Sequence, residues 1–391
     1  MALLDPSLRL IGPYYRLLLA SILAFTLILG LACGEESTPT PAPTGTPPPT
    51  PTSTPTVTIK YATGFKIEYL SEGYKKITDG EGRELLLIPR GKQAPERYKD
   101  LQKIEIPVER VVVLSSTEAS LLRPLGVLDS IVGVSQEKGW YIQEVKTGLQ
   151  EGRIKFLGGN NALDFEALLN LRPDVVVLFT RSGNMNEVLA KLDELRIPSA
   201  VDNEFLEKHP LGRMEWVKFL AAFYDKEQAA GKFFEDAERR VQEVGKKSAG
   251  AQKPRVLSGV SVGGKLYPRG GYEALLIGLA GGDYILKDFA EARSGAITEE
   301  EFFARGKEAD LFIYTRPPDR PPGSSIKALL EAHPVLADLP VIKEGKVWQI
   351  QPWYFESLDK TAEIMEDLEA IFYPELFPGY ELKHYLKMPR E

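Results

Sequence analysis

Residues 107–135 read PVERVVVLSSTEASLLRPLGVLDSIVGVS. In Arg110-Val111-Val112-Val113-Leu114 the four residues after the arginine are a continuous apolar run, too short for a helix and bounded by Arg110 and Ser115, which predicts a strand buried on both faces. Ser115 and Glu118 have capping-box spacing, so a helix starts there and ends near Gly126. A second apolar strand follows at Ile131 to Val134. A buried strand, a helix and another buried strand in close succession predict the crossover unit of a parallel sheet.

Downstream, the same alternation continues through the helix-like DFEALLNLR, the strand DVVVLFT, a helix around Asn186 to Leu195 and a strand from Pro198 to Val201. Upstream, FKIEYL and KKITDGEGRELLLIP alternate with period two around Asp79-Gly80 and Glu81-Gly82, the signature of an antiparallel hairpin. Residues 57–205 are therefore expected to form an N-terminal α/β lobe with a leading hairpin. Residues 206–252 carry no strand signal; Val217, Leu220, Ala221 and Tyr224 follow helical spacing, and Asp225 with Gln228 marks a second helix start. This segment reads as a helical bridge. After Pro254, alternation resumes through RVLSGVSV, DLFIYT and KVWQI, so residues 253–391 form a second α/β lobe. The expected fold class is α/β, with two Rossmann-like lobes of mainly parallel sheet joined by a long α-helix and a ligand cleft between them.

The first 56 residues have a different composition. Arg9 and Arg16 precede an apolar run from Leu17 to Ala32, which is shorter than the ~20 residues of a spanning helix and suits a signal-peptide core. Leu29-Gly30-Leu31-Ala32-Cys33 resembles a lipobox, with Gly30 departing from the usual Leu. Residues 1–32 are thus read as a lipoprotein signal peptide and Cys33 as the acylated residue. The Pro/Thr-rich segment that follows, with eight prolines in residues 37–56, is an extended spacer reaching about 60 Å at ~3.1 Å per residue. The chain is expected outside the cytoplasm, held on the cell membrane by lipid.

Removing residues 1–32 leaves 46 basic and 54 acidic side chains, a balance that argues against nucleic acid as a partner. Cys33 is the single cysteine, so the chain has no intramolecular disulfide, thiol nucleophile or thiolate metal site. His209, His333 and His384 are the only histidines, which speaks against a three-histidine metal cage. GVSVGGKLYPRGG is glycine-rich, but Leu266 follows Lys265 where a nucleotide-binding loop needs Ser or Thr. No serine-nucleophile elbow is read, and no catalytic residue, cofactor or protein-held metal is expected; a purely structural lipoprotein is the alternative class.

The order of PVERVVVLSSTEASLLRPLGVLDSIVGVS, LDFEALLNLRPDVVVLFT, ITEEEFFARGKEADLFIYT and HPVLADLPVIKEGKVWQIQPWYF resembles the helical-bridge substrate-binding proteins of ABC importers for ferric siderophores and cobalamin. The resemblance covers about residues 100–375. It implies a monomeric two-lobed clamp that captures a metal chelate and delivers it to a permease with its ATPase. A ferric siderophore leads; cobalamin, haem and oxyanions such as molybdate stay open.

Physical reasoning places the site at the carboxyl ends of parallel strands. Arg181, Arg269 and Arg316 each follow a predicted strand in an acidic chain, which points to an anionic ligand. Pairing with acids such as Asp202 or Asp319 is the competing reading. Trp140, Tyr141, Tyr267, Trp353 and Tyr354 are candidate aromatic walls, and the resemblance puts Trp353 in a ligand-facing loop. Ser116 and Thr117 precede a helix, so their backbone amides are candidates to bind an oxygen anion; helix capping by Ser115 and Glu118 is the competing reading. Arg293 and Ser294 belong to a further candidate loop. Glu166 and Glu300 each occupy the first turn of a helix, in opposite lobes. Dipole complementarity alone accounts for that placement, whereas the resemblance implies that they dock the clamp on the permease.

Overall fold

In the computed structural model, which describes residues 56–391 apart from 161, 182, 293 and 294, Val111–Val113 is the central strand of a five-stranded parallel sheet. Its three valines are at most 1% exposed. Val111 and Val113 face a core shared with Trp216 and Phe219, while Val112 faces a separate core with Leu168 and Leu192. Burial on both faces explains why this strand reads as a continuous apolar run. The signal segment, Cys33 and the spacer through residue 55 lie outside the described residues, as do Arg293 and Ser294.

A smaller sheet comes first in the chain: β1 Lys66–Tyr69, β2 Lys75–Thr78, β3 Glu84–Pro89 and β4 Gln102–Ile106. The first three strands pair antiparallel in sequence order, and β4 adds parallel to β3. In the turn after β2, the Asp79 carboxylate accepts from the amides of Glu81 and Arg83, 3.0 Å each. Gly80 is there for close approach, since a Cβ would stand about 2.9 Å from Asn203.

The N-terminal lobe then follows β5 Val111–Val113, β6 Ile131–Val134, β7 Lys155–Phe156, β8 Val175–Leu178 and β9 Ser199–Val201, arranged β7-β6-β5-β8-β9. The chain steps outward from β5 in one direction, then returns to lay β8 on its other side. That reversal makes a crevice at the carboxyl ends of β5 and β8. Helices α1 Ser116–Leu122, α2 Gln143–Gln150, α3 Phe165–Leu171 and α4 Met185–Glu194 connect these strands.

The connection between lobes is helical but in two pieces, α5 Pro210–Ala222 and α6 Glu227–Glu243. Asp225 breaks it at φ 55°, and its carboxylate takes the buried Lys75 ammonium at 2.7 Å. Nearly every α5 residue is buried, Glu215 and Lys218 included. Leu211 and Met214 enter the core of the second lobe, and Trp216 to Tyr224 enter that of the first. The bridge is therefore part of both cores.

The C-terminal lobe comprises β10 Arg255–Val262, β11 Lys265–Pro268, β12 Asp283–Tyr284, β13 Leu311–Tyr314, β14 Val347–Ile350 and β15 Tyr385–Lys387. The order is β11-β10-β13-β14-β15, with β12 also on β10. The β10-β13-β14 centre is parallel and the outer β11 and β15 are antiparallel. Its helices are α7 Tyr272–Leu279, α8 Lys287–Ala292, α9 Glu299–Gly306, α10 Ile326–Ala332, α11 Pro340–Lys343 and α12 Thr361–Phe372.

Candidate functional site

A cavity of about 290 Å³ opens at the carboxyl ends of β5, β6 and β8, lined by Leu114, Ser115, Ser116, Ser135, Gln136, Trp140, Asn160 and Phe179. Its position is the crevice that the strand order creates. All these residues belong to the N-terminal lobe. Hydroxyl and amide groups supply the polar lining, and Trp140 and Phe179 the aromatic walls.

Local bonding decides which of the expected residues are available here. Ser115 caps α1, accepting from the Thr117 amide at 3.2 Å, while the Glu118 carboxylate accepts from the Ser115 and Leu114 amides. The Thr117 hydroxyl is 2.7 Å from Ser115 Oγ. Capping therefore engages Thr117, and Ser116 is the residue of the expected pair that lines the cavity. Trp140 is buried and donates from Nε1 to the Gln136 carbonyl at 2.8 Å, bracing the 136–140 loop. Tyr141, 43% exposed, meets Trp353 edge-on with ring centroids 5.9 Å apart. This contact brings the second lobe to the cavity's rim.

The three arginines are not assembled into one clamp. Arg181, at φ 60°, pairs with Glu81 at 3.0 Å in the turn of the leading sheet. Arg269 stands 3.7 Å from Glu273, one helical turn on. Arg316 donates from Nε to the carbonyls of Arg320 and Pro321 and has no carboxylate within ion-pair distance among the described residues. None of the three lines the cavity. The acids that pair with Arg181 and Arg269 are Glu81 and Glu273, not the Asp202 or Asp319 considered from sequence.

Tyr354 departs from the expected surface position. It is buried, with its hydroxyl 3.5 Å from that of Tyr385, and burial pushes its phenol well up. Its aromatic ring belongs to the C-terminal core, reached by the 3-10 turn Tyr354–Glu356. Tyr267 is half-buried on β11 opposite Val260. Trp353 donates from Nε1 to the Lys383 carbonyl at 3.1 Å. Glu166 and Glu300 are both exposed in the first turns of α3 and α9, and neither has an ion-pair partner among the described residues. Asp164 caps α3 and Thr298 caps α9, so neither glutamate serves as the cap.

Three features escaped the sequence reading. Glu118, Asp202 and Glu204 are buried together at the ends of β5 and β9. Burial pushes Glu118 and Asp202 well above the usual carboxyl range; the neighbouring acids add to the rise, and Glu204 is pushed up by burial too. The second feature is a set of bonds between lobes centred on Glu356 and Asp359.

The third is Gly259-Val260-Ser261-Val262-Gly263, which does have the GxSxG spacing. Ser261 Oγ lies 2.7 Å from His333 Nε2, and the Glu299 carboxylate holds His333 Nδ1. However, Ser261 is 1% exposed and lies in a strand that turns through Gly263 and Gly264 into another strand, where a nucleophile elbow leads into a helix. The triad pins β10 to α9. Among the described residues, no group of three His, Cys, Asp or Glu side chains is arranged to hold a metal ion.

The chain's likenesses agree with this architecture. The family described as periplasmic binding protein matches residues 111–353. A lipoprotein of uncharacterized function from Methanocaldococcus jannaschii is 30% identical over 359 residues, covering 84% of this chain and 85% of the relative. A second lipoprotein of that organism is 26% identical, covering 95% of this chain and 99% of its own length. Among solved structures, a periplasmic haem-binding protein from Pseudomonas aeruginosa has 20% identity and TM-score 0.56, covering 71% of this chain and 95% of that one. Helicobacter pylori CeuE, in a nickel–histidine complex, has 18% identity and TM-score 0.57, covering 78% and 90%. The chain belongs to the periplasmic binding protein family, an extracytoplasmic family of substrate-binding proteins, and within it to the two-lobed, helical-bridge class.

Proposed function

We propose that this protein is the lipid-anchored substrate-binding component of an ABC importer, which captures an iron chelate and delivers it to a membrane permease. The cavity at the strand-order reversal is the observation that carries this reading. Its serine, glutamine and asparagine groups suit the oxygen-rich periphery of a ferric siderophore, and Trp140 offers a rigid face to the chelate's apolar part. Arg316, lacking an acid partner among the described residues, is the remaining candidate contact to an anionic ligand. A haem reading draws support from the Tyr141 and Trp353 rings at the rim and from structural neighbours named as haem-binding. Cobalamin and oxyanions are the further members of the test set. Glu166 and Glu300, one on each lobe, are proposed to meet basic groups of the permease, and Cys33 to carry the anchor.

The test is a thermal-shift screen of the purified protein against ferric siderophores, haem, cobalamin and molybdate. A ligand present at 100 times its dissociation constant stabilises by about 2.7 kcal/mol. A shift with a ferric chelate is expected. No shift with any iron chelate would reject the assignment, and a shift with cobalamin or molybdate alone would replace it.

A further inference from the structure

Helix α2 begins without a cap of its own. Ile142 occupies the N-cap position, where an aliphatic side chain cannot accept a hydrogen bond. The amides just ahead of the helix are instead held from the other lobe: Glu356 Oε2 takes those of Tyr141 at 2.9 Å and Ile142 at 2.7 Å. Glu356 is 5% exposed, so these bonds are made away from water, where an unmet amide or carboxylate is most unfavourable.

Beside it, Arg123 of the first lobe donates to both oxygens of Asp359, at 2.9 and 2.5 Å, and to the Glu356 carbonyl at 2.9 Å. Helix α1 packs against the two short turns that carry Glu356 and Asp359. Donors from one lobe are thus fastened to acceptors from the other. The fastened loop also builds the cavity, since Ser135, Gln136 and Trp140 line it and Trp140 is bonded back to Gln136.

We propose that Glu356 is a positioning residue for ligand binding: a carboxylate from the C-terminal lobe that holds the cavity loop 135–142 of the N-terminal lobe in its binding shape. The consequence is mechanical. When the lobes part at this edge, the loop loses its acceptor and the Trp140 wall loses its support, so lobe separation and ligand release become one event. Arg123 and Asp359 keep Glu356 in register. This inference rests on the binding reading above, but the loop's dependence on Glu356 is measurable without any ligand.

The experiment uses the full-length protein in detergent, with amide hydrogen exchange and with binding of haem and of a ferric tris-catecholate chelate as probes. In Glu356→Ala, exchange across residues 136–142 should rise at least tenfold, and affinity for the chelate bound by the wild type should fall about tenfold or more. Glu356→Gln keeps one acceptor oxygen and should restore both to within about threefold. If the alanine variant does not fold, Glu356→Asp, which retracts the carboxylate by one methylene, should show both effects in smaller measure.

Unchanged loop exchange would overturn the proposal. So would faster exchange with unaltered affinity, which would make Glu356 a staple without a role in binding. If wild type binds neither probe, affinity is read with whichever ligand of the screen above shifts wild-type melting; if none does, the binding reading fails, while the exchange comparison separately decides whether Glu356 shapes the loop.

Discussion

At the scale of single residues, partnership separates the expected contacts from the available ones. Arg181 and Arg269 already have carboxylates, whereas Arg316 bonds only carbonyls of its own loop among the described residues. Arg316→Ala is predicted to weaken binding of an anionic chelate ten- to hundredfold, about 1.5–3 kcal/mol, while Arg181→Ala and Arg269→Ala change it less than threefold. Titration calorimetry on the three variants decides this, and equal losses in all three would restore the three-arginine clamp. Sequence could place these residues after strands because strand ends follow from apolar runs. It could not supply their partners: Glu81 reaches Arg181 only because the leading sheet folds against β9.

The buried acids make a second residue-scale prediction, and its sign is fixed by burial. Asp202 has a folded pKa above its unfolded value, so the folded state holds the proton more tightly. Its ionisation therefore penalises folding as pH rises through the folded value, and the penalty vanishes below the unfolded value near 4. Asp202→Asn, which removes that ionisation, is expected to gain stability relative to wild type at pH 8 and to lose that advantage by pH 4. Thermal unfolding of both proteins across this range checks it. A constant difference would show that Asp202 does not titrate as its surroundings imply.

At the scale of elements, α5 does more than join two lobes. Glu215, fully buried on this helix, accepts from the amides of Lys60, Tyr61 and Ala62 at 2.6–3.0 Å and from Lys218 at 2.6 Å. Glu207, just before the helix, accepts from the amides of Thr63 and Gly64 at 2.7 and 2.8 Å. Glu215→Ala leaves three amide donors without their acceptor and the buried Lys218 ammonium without its counter-charge, its remaining hydrogen bond among the described residues being to the Thr58 carbonyl at 2.6 Å, and is predicted to cost about 3–5 kcal/mol in denaturant unfolding. A loss below ~1 kcal/mol would mean that the 60–64 segment contributes little. The helical period of α5 was legible from Val217 to Ala221, but the second start expected at Asp225 is displaced: α6 begins at Glu227 behind an uncapped Lys226, because Asp225 turns its carboxylate to Lys75 instead of to the helix. The capture of residues 60–64 was not, because buried glutamates in a helix carry no sequence mark distinguishing them from solvated ones. Likewise, β4 was missed because a parallel strand added after a meander leaves no turn signal.

At the scale of the whole molecule, that capture ties residues 60–64 to the bridge rather than to one lobe. Lys60 and Tyr61 also bond Glu238 on α6, so this segment is fastened to both pieces of the bridge. Glu166 and Glu300 are exposed on opposite lobes and are not needed to cap their helices. Their contribution to stability through the helix dipole is at most about 1 kcal/mol each. Reversing both, Glu166→Lys with Glu300→Lys, is therefore predicted to leave folding and chelate affinity nearly unchanged while abolishing uptake, with each single reversal giving a partial loss. Docking through exposed charges should also weaken steeply with salt, because the Debye length falls from ~10 Å at 0.1 M to ~3 Å at 1 M. Uptake by cells, binding by the purified variants and association with reconstituted permease at several salt concentrations test the three parts separately. Normal uptake by the double variant would remove the two glutamates from the docking surface.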